Sequence, residues 1–175
     1  FLVACVSCFL SQGPLRYRAE YATLVAAELS RPPVPGVVPE ADLAHLPVPV
    51  AAYVRRSGAV GRPRVFNFRA RFRGTIRSRA DASWMAFTGE QVNRLGPDPS
   101  RLFFLEASMF GVPADVFHAF IGPSASMRVK VWSLVKIVDE RGPLMTQAET
   151  VTLFNDLCVF APAALVDPAI HWEPV

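Results

Sequence analysis

A chain of 175 residues is about one domain's worth of sequence, and a domain of that size buries roughly 70% of its unfolded surface, so it needs no disulfide or metal staple to hold a core. With 51% hydrophobic and 19% charged residues it is not an intrinsically disordered chain. The formal charge of +3 conceals an asymmetry: residues 55–79 hold 9 of the 18 basic residues and no acid, which leaves 9 basic against 15 acidic residues elsewhere.

Residues 1–10, FLVACVSCFL, are apolar or small throughout. As a helix they would span about 15 Å, half of a ~30 Å bilayer core. The run reads as the remnant of a membrane helix, which implies an upstream segment. A lipobox at Leu2-Val3-Ala4-Cys5 and a plain buried segment are the other readings. Cys5 and Cys8 have the redox-motif spacing but no βα context, and with Cys158 they make an odd set that gives no disulfide framework. Zinc would need two further thiolate or imidazole ligands nearby, and the sequence offers none.

The periodicity then predicts a helix over 15–29, with Tyr17, Tyr21, Leu24, Val25 and Leu29 on one stripe. Pro32, Pro33, Pro35 and Pro39 follow, a stiff spacer between an anchor and a domain. A short helix is expected over 49–57, stopped by Gly58. Residues 65–77 give the clearest strand: Phe66, Phe68, Ala70, Phe72, Gly74 and Ile76 point one way, Asn67, Arg69, Arg71, Arg73, Thr75 and Arg77 the other. Further strands are expected over 102–110, 116–121 and 127–138, with a turn at 139–143. The in-out alternation is that of antiparallel sheets. Thr146-x-x-Glu149 reads as a capping box opening a helix to about residue 159, and 171–175 as the start of another strand. The expected divisions are 1–30, an apolar run plus helix; 31–46, a Pro-rich linker; and 47–175, a β-rich domain continuing beyond the C-terminus.

Trp84-Met85-Ala86-Phe87-Thr88-Gly89-Glu90-Gln91, with Gly58-x-x-Gly61-Arg62-Pro63 before it and Met127-Arg128-Val129-Lys130 after it, resembles an uncharacterised bacterial domain family. Its members carry a Trp-Met-x-Phe-Thr-x-Glu-Gln signature between two strands and often an N-terminal membrane segment. The resemblance covers roughly residues 46–175 and brings no biochemical activity with it. More distantly, the layout is similar to the open half-barrels of periplasmic lipoprotein carriers, an analogy of fold alone. The expected architecture is α+β: a curved, mainly antiparallel sheet, an open half-barrel, with helices packed on one face and an N-terminal helix.

Catalytic chemistry finds little support. Gly122-Pro123-Ser124-Ala125-Ser126 misses the nucleophile elbow at its last position. Gly58-Ala59-Val60-Gly61 lacks the Lys-Ser or Lys-Thr of a phosphate loop. His118 reads as a structural histidine, and Glu90 as the cap of a helix beginning near Thr88. No catalytic residue, metal ligand or cofactor is assigned.

The leading expectation is a non-enzymatic binding module for a hydrophobic or lipid-like ligand at or near a membrane. Phe66, Phe68, Phe72, Trp84 and Phe87 would line the ligand site, and Arg69, Arg71, Arg73 and Arg77 would contact an anionic surface. The basic and aromatic residues of that strand lie on opposite faces, unlike a base-stacking platform, so nucleic acid is not an expected partner. Two alternatives stand beside it: a small-molecule enzyme using Glu90, Gln91 and His118, and an interaction domain that pairs through a sheet edge. Membrane association is expected through the N-terminal segment. Arg16 and Arg18 favour its cytoplasmic side, without fixing it, and the oligomeric state is left open.

Overall fold

The computed structural model describes residues 16–77, 79–109 and 112–173. The apolar run at 1–10, with Cys5 and Cys8, lies outside them. Among the described residues six strands form one sheet: β1 (Asn67–Ile76), β2 (Met85–Arg94), β3 (Ser100–Met109), β4 (Val112–Ile121), β5 (Ser124–Val131) and β6 (Val135–Arg141). Each is antiparallel to the next in chain order, a six-stranded meander that curves without closing. Three α-helices accompany it: α1 (Tyr17–Ser30), α2 (Val48–Arg56) and α3 (Pro143–Phe160), with two short 3₁₀ turns at Glu40–Leu43 and Pro162–Val166.

The two sides of β1 do face different surroundings. Phe68 and Phe72 are half-buried on the side where α3 lies, and Arg69, Arg71 and Arg73 are exposed on the other. Strand parity carries this division across the sheet. Phe68, Phe72, Phe87, Gln91, Asn93, Arg101, Phe103, His118, Phe120 and Ala125 share the α3 face through the registers Phe68↔Asn93, Gln91↔Phe103, Asn93↔Arg101, Phe103↔His118 and Phe120↔Ala125.

The opposite face is covered by α1. Its Tyr17 and Tyr21 rings stack on Phe104 and Phe117 at centroid separations of 5.6 to 6.2 Å, closing a cluster with Val25, Val92 and Leu102. Aromatic pairs of this kind contribute about 0.5–1.5 kcal/mol each beyond their buried area. Polar contacts fix both ends of the helix. Arg16 donates to Asp115 at 2.6 Å and to Glu106 at 2.5 Å, and Glu28 accepts from Ser100 at 2.7 Å. Arg94 donates to the carbonyls of Arg31 and Pro32, the two residues that follow the helix.

On the outer side of α3 a second core joins Val38, Leu43, Leu46, Ala51, Val54, Ala163, Leu165 and Val166 with Phe154 and Trp172. The proline-rich stretch thus packs against the domain: Val38 and Leu43 are buried, and a bridge joins Val37 to Pro63.

Five local expectations change, one of them the turn at 139–143: residues 139–141 are the end of β6, paired with β5. The signature at 84–91 is itself mostly strand and no helix begins near Thr88: Met85–Arg94 is β2, pairing with β1 and β3, so Glu90 caps no helix. The span 127–138 is not one strand but the facing parts of β5 and β6, joined by a tight turn at Trp132–Leu134. The last helix starts at Pro143, where the missing N–H of proline costs nothing at a helix start and Gly142 adopts φ 101°. Thr146 is therefore inside the helix and accepts from the Ala125 N–H, and Glu149 turns toward the sheet rather than back to the helix end. Residues 171–173 are not in a strand, and 174–175 lie outside the described residues.

Candidate functional site

α3 crosses the α3 face diagonally, from Ala125 on β5 to Phe68 and Phe72 on β1. Beneath it lies a cluster of charged and amide side chains. Arg101 donates to Glu149 at 2.9 Å, to Asp156 at 2.8 Å and to Gln91 at 3.3 Å. Asp156 also accepts from Gln91 at 2.7 Å and Asn93 at 3.2 Å. His118 Nδ1 meets the other Glu149 oxygen at 2.7 Å. Burial acts to raise the Glu149 carboxyl, but the hydrogen bond and charge of His118, with the Arg101 guanidinium, more than offset it. The group titrates below its ordinary value. Every strong donor in the cluster has an acceptor, which a buried charged group requires. The cluster pins α3 to the sheet.

Beside it runs an aromatic row. Phe160, at the end of α3 and 44% exposed, lies 5.3 Å from Phe68 and 6.3 Å from Phe72. Phe72 meets Phe103 at 6.0 Å, and Phe103 meets His118 at 5.8 Å. Two glycines make room for rings lying along the sheet. A Cβ on Gly89 would come within 3.3 Å of the Phe103 ring and of the Phe104 carbonyl, and one on Gly74 within 3.2 Å of the Phe87 ring. Beyond α3, the same face continues through Leu105, Val116, Val129 and Val131, so its character stays apolar toward the β1–β2 and β5–β6 turns.

Of the five residues expected to line a ligand site, Phe68, Phe72 and Phe87 share this face. Phe66 lies before β1 in a separate recess of about 410 Å³ with Val34, Leu95 and Ala163. Trp84 lies at the β1–β2 turn, 61% exposed, with the Arg77 guanidinium 4.6 Å above its ring. Phe103 and Phe160 complete the row and were not singled out from the sequence. Phe103 sits in the unbroken apolar run 102–105, which shows no alternation to tell one face from the other, and Phe160 ends a helix whose contacts its own sequence does not disclose.

The expected cationic face is present on the other side. Arg69 and Arg71 share Glu90, at 3.8 and 3.2 Å, and Tyr21 donates its hydroxyl to the same carboxylate at 3.1 Å. Arg18, Arg71, Arg73, Thr88 and Glu90 line a recess of about 490 Å³. Among the described residues Arg73 and Arg77 have no carboxylate partner. Glu90 and His118 do not converge. Register places Glu90 with Phe104 on the α1 face and His118 with Phe103 on the α3 face, so the two do not share the pocket that the enzyme alternative required. The carboxylate that meets His118 is Glu149, 31 residues away on α3. Gln91 does reach the same cluster, through Arg101.

Among known protein families, one of unknown function (DUF6544) matches over residues 36–175. Comparison with curated proteins and with solved structures gave no match.

Proposed function

The chain belongs to this family of unknown function, and from its geometry we propose that it is a binding module for a hydrophobic or lipid-like ligand exchanged with a membrane. The observation that carries the reading is the aromatic row. Phe68, Phe72, Phe103 and Phe160 pack ring against ring along one side of the sheet, tilted or edge to face, none of them fully buried. A half-buried row of rings that a domain leaves open is where an apolar chain gains most by leaving water. The apolar face beyond α3 extends the contact for an elongated ligand. Arg69, Arg71 and Arg73 lie on the opposite side of the same strand, where anionic groups of a membrane surface would meet them.

Displacement of a fluorescent fatty acid from the purified chain tests the reading, with native mass spectrometry for co-purified lipid. Phe72→Ala and Phe103→Ala should each weaken the probe by about tenfold, the effect of about 1.4 kcal/mol of lost apolar contact. A chain that carries no lipid and takes up no probe would overturn it.

One observation favours a second reading, pairing through a sheet edge. β6 is an outer strand with Val135 and Ile137 exposed along it, and an exposed apolar edge is a template for another strand. Ile137→Lys should then abolish self-association in sedimentation equilibrium. A chain that stays monomeric at all concentrations would dismiss this reading.

A further inference from the structure

In an up-and-down meander alternate turns fall at the same end of the sheet. Here the β1–β2 and β5–β6 turns share one end with the β3–β4 connection. The registers keep them level: Ile76 pairs with Met85, Phe87 with Ala107, Met109 with Val112, and Ala114 with Val131. Two of the chain's three tryptophans stand at this end. Trp84 is 61% exposed and Trp132 57%, and Ile76, Leu134 and Val135 beside them are also exposed.

The β5–β6 turn carries a further sign. Trp132 and Ser133 have φ of 53° and 58°, and the Leu134 N–H closes the turn on the Val131 carbonyl. A turn with two left-handed residues favours Asn and Gly there, and a bulky aromatic is poorly suited to it. The fold gains little internally from an indole held outward in this way. Strained positions of this kind accompany function more often than stability.

The charge at this end is basic. Arg73 and Arg77 have no carboxylate partner among the described residues, and Arg79 is matched only by Asp81 in a pair open to solvent. The chain also enters the domain here. Arg16, the residue before α1, pairs with Glu106 and Asp115, which lie across β3 and β4 near these turns. In sequence, the apolar residues 1–10 precede Arg16 by five residues.

Exposed tryptophans, neighbouring aliphatic side chains and unneutralised arginines are what a protein presents to the interface of an anionic bilayer, where indoles sit at headgroup depth and cations meet lipid charge. We infer that this end of the sheet, with Trp84 and Trp132 at its tips and Arg73 and Arg77 behind them, docks on an anionic membrane surface. The docking deepens the membrane contact of the reading above and places it at this end of the sheet; it needs no ligand on the aromatic row, so vesicle binding and probe uptake can fail separately.

The test uses the full chain with vesicles of phosphatidylcholine, with and without phosphatidylglycerol, whose acyl chains carry bromine. Three variants retain one tryptophan each, the other two replaced by Phe. On the mixed vesicles Trp84 and Trp132 should shift to the blue and be quenched. Trp172, packed on Phe154 in the helical cluster, should not. Arg73→Glu with Arg77→Glu should lower binding to the mixed vesicles by at least about tenfold and leave the weak binding to pure phosphatidylcholine unchanged. Should Trp172→Phe prevent folding, Trp84→Phe and Trp132→Phe made singly give the same information as lost quenching amplitude. Three results would overturn the inference: no vesicle binding, binding equal on both vesicle types and indifferent to the arginine reversals, or bound protein with both indoles unquenched. The last would assign the exposed tryptophans to a protein partner.

Discussion

Glu149 joins His118 to Arg101: one carboxylate oxygen lies 2.7 Å from the imidazole Nδ1 and the other 2.9 Å from the guanidinium. The three come from α3, β4 and β3, so one buried side chain ties the last helix to the middle of the sheet. Glu149→Ala would leave Arg101 with Asp156 as its one carboxylate partner among the described residues and strip His118 of its carboxylate. The expected loss is about 3 kcal/mol, read as a lower urea midpoint. The pH dependence follows from the depressed carboxyl. Its folded pKa lies below the unfolded value of 4.5, so the stabilisation is complete above that pH and drains away as pH falls through the folded value. Glu149→Gln should flatten this part of the acid unfolding curve. An unchanged acid limb would show that the link carries no stability.

Tyr21 should govern the alkaline limb. Burial first, and then the charge and hydrogen bond of Glu90, raise its hydroxyl above the ordinary value of 10. The folded state then holds a proton that the unfolded chain releases, so stability is complete below pH 10 and falls as pH rises above it. Tyr21→Phe removes this dependence. Thermal melts of the two proteins at rising pH should converge.

Gly89 tests whether the aromatic row depends on a bare backbone position. Gly89→Ala would press a methyl against the Phe103 ring and the Phe104 carbonyl. The backbone atom cannot yield as a side-chain tip does, so a loss of about 1–3 kcal/mol is expected, together with weaker binding of an apolar probe. A variant as stable as the parent would show that the sheet relaxes around the methyl.

Trp132→Asn separates stability from docking. Asparagine tolerates the left-handed conformation better than tryptophan, so the variant should be at least as stable as the parent, by up to about 1 kcal/mol. Its binding to anionic vesicles should nonetheless fall. A variant that loses stability would mean that the indole serves the fold.

What could be read from the sequence was whatever rests on local periodicity. The Phe and Arg alternation of β1 gave the strand and its two environments, and the tyrosine stripe gave α1 and its buried face. The 84–91 strand escaped because Gly89, Glu90 and Gln91 are poor strand formers, and Glu90 after Thr88 suggests a helix start. Its strand conformation is imposed by pairing with β1 on one side and β3 on the other. The β5–β6 turn escaped because Trp-Ser is not a turn-forming pair. The cluster under α3 could not be read at all. Arg101 meets Glu149 and Asp156 from 48 and 55 residues away, and no local pattern encodes a contact at such separation. Glu90 and His118 show the converse: two plausible partners in the sequence, placed by parity on opposite sides of a sheet.

The meander also fixes an order of assembly during synthesis. Each strand can join the one made just before it, so the sheet can grow from β1 outward as the chain leaves the ribosome, while α1 completes its packing only when β3 and β4 supply Leu102, Phe104 and Phe117. Arg101 and His118 are in place long before their carboxylate partners, which arrive only with α3. A nascent chain halted at residue 142 would hold all six strands, with the Arg101 guanidinium among Gln91, Asn93 and His118 but without either carboxylate.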